Sequence, residues 1–327
     1  MPKVLHIGPC ETPGGMANVM RILAQHPPEG WQTELLSSHV TGSPWAKWRA
    51  YRKARKTFIQ MLNDGNLRPD IVHVHTAADW SWWRKRRFVQ LAHEAGIPNI
   101  VHIHSGQFDT WLQSSSKQTK NFQKDISTFS SHVVVLSKSW QRILGKILGD
   151  TTVVHNPLDP ELSIGTNIVR DPNKILFLGR NDRIKGGVFA QELVGKLRQS
   201  NPDLFLAMSG IESSTYPWVH PLGWVTEVEK REHLSSTSLL LVPSKFEGQP
   251  MVVLEAMALQ TPVLLSDTIH SLPNSLPRAR YEDVDDWKHQ VESMLSSKSK
   301  PNDEILADYS LVVVREKWQS FYQHLLN

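Results

Sequence analysis

Two carboxylates stand in a stretch that is otherwise apolar or loop-forming, residues 239–267 (LLLVPSKFEGQPMVVLEAMALQTPVLLSD). Glu247 lies in the polar loop 244–249, and Glu255 follows with seven residues between them. At about 3.6 residues per turn, the first faces the mouth of the next helix and the second lies about one and a half turns inside it. Gly248, Gln249 and Pro250 complete the mouth, and proline suits a first helical position because no N–H is needed there. A loop that leads from a parallel strand into a helix N-terminus is where α/β proteins hold phosphorylated ligands. Two cations, Arg180 and Lys185, follow an apolar run and lead into Gly186-Gly187. A guanidinium fork and a mobile ammonium can neutralise a diphosphate whose charge grows as a glycosidic bond breaks. Gly14 and Gly15 close a loop after the first strand, where backbone N–H groups can take an anion. That loop is not G-x-G-x-x-G, so no dinucleotide site is indicated. His102 and His104 alternate along a strand and share a face, as do His73 and His75. Such imidazoles can in principle ligate a metal.

The elements that must hold these groups alternate strand, loop and helix, which predicts an α/β fold with parallel sheets. In the first half the predicted strands are 3–8, 31–37, 69–75, 97–104, 132–137 and 152–155. Helices are predicted over 16–25, 44–62 and 88–95 and from 139 onward, with a mobile loop and helix over 110–124. Residues 159–173, rich in proline, glycine and aspartate, read as a linker. Strands 174–179, 204–209, 218–222, 239–242 and 263–265 follow, and residues 313–325 form a last amphipathic helix. With 327 residues, the length predicts two domains, each large enough for its own core.

The spacing Glu247-x7-Glu255, within E-G-x-P-x5-E-A-M-A, resembles the E-x7-E signature of retaining glycosyltransferases of family 4. Further likenesses are the Pro13-Gly14-Gly15 turn, the strand PDIVHVH, the strand ending at His104, residues 152–157 (TVVHNP) and G-R-x4-K-G at 179–186. The resemblance implies the GT-B fold, two Rossmann-like domains with parallel sheets facing a cleft. Residues 1–158 would form the acceptor-side domain and 174–310 the nucleotide-sugar domain, with the helix 311–327 packing back on the first. It implies transfer of a sugar, with retention, from a nucleotide diphosphate sugar to a hydroxyl of a glycan or lipid-linked acceptor. A UDP-sugar is expected in preference to GDP-mannose. Arg180 and Lys185 would stabilise the diphosphate with the Gly14-Gly15 loop. Glu247 and His104 would orient the sugar, Gly248, Gln249 and Pro250 would line the donor, and Glu255 would hold the ribose. No cofactor and no metal are expected. Thr268 onward departs from the family's Gly-Gly-x-x-Glu segment, and Gln260 replaces a usual glycine at a helix end. A non-catalytic scaffold, or a phosphorylase or epimerase of the same fold, are the alternatives.

Composition is ordinary for a globular chain, with 40% hydrophobic and 21% charged residues. The single cysteine, Cys10, excludes an intrachain disulfide. The start of the chain lacks the apolar core of a signal peptide, and no run is long enough to span a membrane. Positive charge is concentrated instead. Lys47, Arg49, Arg52, Lys53, Arg55 and Lys56 lie beside Trp48, Tyr51, Phe58 and Leu62, and residues 80–88 (WSWWRKRRF) repeat that chemistry. Aromatic and basic residues on one helix suit an anionic membrane surface. Segments 45–62 and 80–88 therefore predict a cytoplasmic protein, peripheral at the inner face of the membrane. No nucleic-acid motif accompanies them, so a nucleic-acid partner is not expected.

Overall fold

A computed structural model describes residues 1–162, 169–297 and 303–327. Part of the predicted linker (163–168) and a short piece of the predicted second domain (298–302) lie outside the described residues. The chain divides into two compact units, Met1–Pro157 with Asp308–Asn327, and Leu158–Ala307.

The first unit carries a six-stranded sheet built in alternation: β1 (Lys3–Gly8), α1 (Gly15–Gln25), β2 (Gln32–Ser37), α2 (Pro44–Asn63), β3 (Ile71–Thr76), α3 (Trp80–Glu94), β4 (Asn99–Ile103), α4 (Phe108–Leu112), α5 (Ser116–Thr128), β5 (His132–Val135), α6 (Lys138–Leu148) and β6 (Thr152–Val153). All pairings are parallel, in the order β2-β1-β3-β4-β5-β6. Parallel strands are covered on both faces, and β3 (IVHVHT) is buried at every position. Serine starts the helices: Ser43, Ser115 and Ser137 each accept a backbone N–H of the first turn of α2, α5 and α6. One sheet face packs Leu5, Ile7, Val72, Val74 and Val101 against Phe58, Trp82, Phe88 and Phe122. Residues 110–124, predicted as a mobile loop and helix, run from the end of α4 through a short turn into α5, and Phe108, Leu112 and Phe122 of the two helices pack into that core.

The second unit is built from β7 (Asp171–Phe177), α7 (Gly187–Leu197), β8 (Phe205–Met208), β9 (Val219–Pro221), α8 (Glu227–Ser236), β10 (Thr237–Val242), α9 (Met251–Ala258), β11 (Val263–Ser266), β12 (Arg278–Ala279) and α10 (Val284–Ser297). Its parallel sheet runs β12-β11-β10-β7-β8-β9. β7 begins at Asp171, inside the predicted linker, because Asp171 pairs with Thr237, ahead of a register shift that precedes the Leu239–Ile175 pair. Pro250 is the N-cap of α9 rather than its first residue, with an extended ψ of 104°. Gln260, just past α9, takes the left-handed conformation (φ 58°) that a glycine would adopt without cost.

The last helix, α11 (Leu311–Leu326), belongs to the first unit. Trp318 and Tyr322 of α11 are buried, and both rings lie against His73, on the sheet face opposite the core just described.

Candidate functional site

In both units the strand order reverses once. The first sheet reverses between β1 and β3, the second between β7 and β10. At such a switch point the two flanking loops diverge at the carboxyl ends of the strands and leave a crevice for a ligand. The loops after β7 and β10 carry Arg180, Lys185 and Glu247.

In the second unit these two loops are tied together. Lys245 N–H donates to the Ile184 carbonyl at 2.8 Å, and Lys185 N–H donates to Asp182 Oδ1 at 2.9 Å. Ser209, past β8, accepts from Gly179 N–H at 2.9 Å. Gly186 makes the approach possible: its φ is 75°, and a Cβ there would sit 2.6 Å from the Pro243 carbonyl oxygen. Lys185 Nζ then reaches Glu247 Oε1 at 2.6 Å, a charge-assisted bond on a part-buried pair. Arg180 does not join that pair. Its exposed guanidinium instead lies 3.3 Å from Asp182 Oδ2. Gly248, Gln249 and Pro250 continue the loop into α9, where Gln249 and Pro250 are buried.

Glu255 is 2% exposed in the middle of α9. Lys230 of α8 bonds it at 2.8 Å to Oε1 and lies 2.7 Å from Oε2. Burial raises the Glu255 pKa despite that ammonium, whereas Lys230, although desolvated, is held above its ordinary value by Glu255 and Glu227. A desolvated ion pair of this kind costs solvation that an apolar pair would not, so its presence has to be explained by position or by a ligand. The sequence reading missed Lys230. Its only signal was local, in that T-E-V-E-K starts a capped helix whose Thr226 and Glu229 form a capping box.

In the first unit Gly14 is the N-cap of α1, with φ 127° and no side-chain cap, and α1 has no acidic residue in its first turn. Its first N–H groups are therefore open to an anion. His104 follows β4 and is not alone. Its Nε2 lies 2.9 Å from His75 Nδ1, and His75 Nε2 lies 2.9 Å from His6 Nδ1. A second chain runs from His102 Nδ1 to His73 Nε2 at 3.1 Å, then from His73 Nδ1 to the Tyr322 hydroxyl at 3.0 Å. Burial drives His6 and His104 down to about 3, and holds His73, His75 and His102 well below the usual value. All five imidazoles are neutral at pH 7. Two three-histidine groups, His6-His73-His75 and His75-His102-His104, bring their ring nitrogens within 4.8 Å. That is the donor set a transition metal would use, although the bonds among the rings already give most of these nitrogens a partner.

The two aromatic-basic segments differ. On α2 the expected aromatic stripe divides: Trp48 stacks with Trp45 at 4.7 Å, both exposed and with Arg52 over Trp48, whereas Phe58 is core and Tyr51 and Leu62 pack against it. On α3 the expected repeat of that face fails. Trp82 and Phe88 are core, Lys85 is buried, and Arg86 binds Asp125 at 2.7 Å. Helical spacing sends every third or fourth residue of a continuous aromatic-basic run into the sheet, leaving Trp80 and Trp83 exposed. No described helix is long and apolar enough to cross a membrane.

Comparison with known proteins bears on both units. A family model described as glycosyltransferase family 4 matches residues 13–162, and one described as glycosyl transferases group 1 matches residues 172–296. TuaC of Bacillus subtilis, assigned to teichuronic acid biosynthesis as a glycosyltransferase, is 24% identical over 235 residues, covering 68% of this chain and 59% of TuaC. Glycogen synthase of Mycobacterium tuberculosis is 26% identical over 227 residues, covering 62% of this chain and 53% of that protein. The chain thus spans little more than half the length of these relatives. Among solved structures, sucrose-phosphate synthase of Thermosynechococcus elongatus superposes with a TM-score of 0.75 at 15% identity, covering 99% of each chain. Anabaena HepE, solved with UDP-glucose, gives 0.72 at 12% identity, covering 99% of this chain and 100% of HepE. These likenesses show the GT-B fold.

Proposed function

The chain belongs to the group 1 glycosyl transferases, glycosyltransferase family 4, and from that premise we propose that it transfers a sugar from a nucleotide diphosphate sugar to an acceptor hydroxyl with retention. The observation that carries this reading is the Lys185–Glu247 pair at the β7/β10 switch point. The ammonium, with the Arg180 guanidinium, takes the diphosphate, and Glu247, released from Lys185, accepts the sugar hydroxyls. In the reaction the bond from the anomeric carbon to the phosphate oxygen breaks and a bond to the acceptor oxygen forms. The acceptor's proton leaves with the diphosphate, whose growing charge the two cations neutralise. Glu255 accepts the ribose hydroxyls, and Lys230 works against the rise in pKa that its burial causes. Side-chain cations do the work a metal would do at the diphosphate, so no metal cofactor takes part there.

A UDP-sugar is the preferred donor, a reading supported by HepE, whose structure holds UDP-glucose. The acceptor is a glycan or a lipid-linked saccharide of a cell-surface polymer, a reading supported by the assignment of TuaC. The stacked, exposed Trp45 and Trp48 beside Arg52 support docking on an anionic leaflet from the cytoplasmic side. The test is proton NMR of the product formed with UDP-glucose and a glucoside acceptor in excess EDTA. A product with the donor's anomeric configuration and stoichiometric UDP bears the proposal out. An inverted product, or turnover only after metal is restored, overturns the mechanism.

A further inference from the structure

Lys85 has no part in the reading above, and it is in an unusual place. It lies in the second turn of α3 and is 1% exposed, yet among the described residues it has no hydrogen bond and no ion pair. Beside it in sequence, the half-buried Arg84 keeps its Nε buried without a partner. His39, two residues past β2, does the same with Nδ1. Burial lowers the Lys85 pKa to about 7 with Arg84 adding to the fall, and His39 is lowered to about 4 by burial and then by Arg84, Lys85 and Lys47. The other groups that act on Arg84 and Lys85 are Tyr51 and Cys10, and no carboxylate is among them. Among the described residues, Lys85 is thus buried and Arg84 and His39 part-buried, with no carboxylate among the groups that act on them.

Their position in the fold is as telling as their charge. Cys10 follows β1, His39 follows β2, and Arg84 and Lys85 lie on the helix after β3. The sheet order β2-β1-β3 brings these carboxyl-end segments side by side across the β1/β3 switch point, with the uncapped start of α1 in the same loop as Cys10. Around that edge Trp80, Trp83, Trp45 and Trp48 are exposed. A lysine side chain withdrawn almost wholly from water without a partner is costly, and an anion arriving at its ammonium recovers that cost through charge-assisted hydrogen bonds.

We propose that Lys85, Arg84 and His39 form an anion subsite that takes a phosphate or carboxylate carried by the acceptor, an inference that rests on the transferase reading given above. The anion has two sources, the phosphate of a lipid-linked acceptor or an acidic group on a saccharide. Binding is tested by thermal shift on the full chain at pH 7 with farnesyl phosphate, farnesol, glucuronate and inorganic phosphate, in wild type, Lys85→Met and Arg180→Ala. Farnesyl phosphate is expected to raise the midpoint of wild type and Arg180→Ala by several degrees, and that of Lys85→Met by less than a third as much, with no response to farnesol. An equal response to glucuronate or inorganic phosphate assigns the site to small acidic groups, and a response to farnesyl phosphate alone assigns it to lipid phosphate. A Lys85→Met response equal to wild type, or no response of wild type to any of the three anions, overturns the proposal. UDP titrated into Arg180→Ala separately tests the donor reading, so the two fail independently. A second readout needs no variant: NMR of chain labelled with 13C at lysine Cε follows Lys85, whose titration midpoint near 7 should rise by a unit or more on adding the binding anion. A midpoint that does not move contradicts the subsite.

Discussion

Acid should destabilise the first unit steeply, and the size of the effect follows from its buried histidines. In the unfolded chain each imidazole titrates near 6.5, whereas in the folded chain His6 and His104 titrate near 3. Between these values the unfolded state binds protons that the native state refuses, so stability is present above the unfolded pKa and is lost as pH falls below it. Going from pH 7 to pH 5 costs about 2 kcal/mol for each such group. His6 and His104 together lose about 4 kcal/mol by that arithmetic. His73, His75 and His102 are depressed for the same reason, which brings the upper bound to roughly 10 kcal/mol against a typical net stability of 5–15 kcal/mol. Trp318 and Tyr322 report on the event, since both rings lie against His73. The assay is urea unfolding at pH 7, 6 and 5, with EDTA present, followed by tryptophan fluorescence. The free energy of unfolding is expected to fall by at least 4 kcal/mol, and His6→Phe should remove about 2 kcal/mol of that dependence. A fall of less than about 1 kcal/mol between pH 7 and 5 would refute the reasoning.

Two further outcomes follow from other elements. Lys230→Met leaves the Glu255 carboxylate buried and unpaired, which should cost about 3–5 kcal/mol in urea unfolding, and the double change with Glu255→Leu should regain most of the loss. Trp45→Ala with Trp48→Ala removes the exposed aromatic stack of α2, and sedimentation with vesicles of anionic lipid should drop several-fold while melting is unchanged; equal sedimentation of the variant would remove that surface from the account.

The parts of the fold that were legible in the sequence are those set by short-range rules. Apolar runs bounded by glycine and proline marked the strands, and the helices predicted from 44 and 139 start at Pro44 and Lys138. The spacing of Arg180, Lys185, Glu247 and Glu255 was also legible, because loop chemistry at strand ends is local. The pairings were not. Lys185 meets Glu247 only because Gly186 lets one loop pack on Pro243, and Lys230 meets Glu255 across two helices. The α3 segment misled for the opposite reason. Its composition is uniform, and only the helical turn decides that Trp82 and Lys85 go inward while Trp80 and Trp83 stay in water. The alternation of His102 and His104 was visible, but the five-ring network needed the β1, β3 and β4 register to appear.

The most direct test of the central claim is calorimetric titration of UDP, GDP and ADP into wild type, Lys185→Ala and Glu255→Ala. The account expects UDP to bind wild type more tightly than the other two nucleotides. It expects UDP affinity to fall by at least about tenfold in each variant, the loss of one charge-assisted contact. Wild type that binds none of the three, or variants that bind UDP as wild type does, would contradict the assignment of the β7/β10 switch point as the donor site.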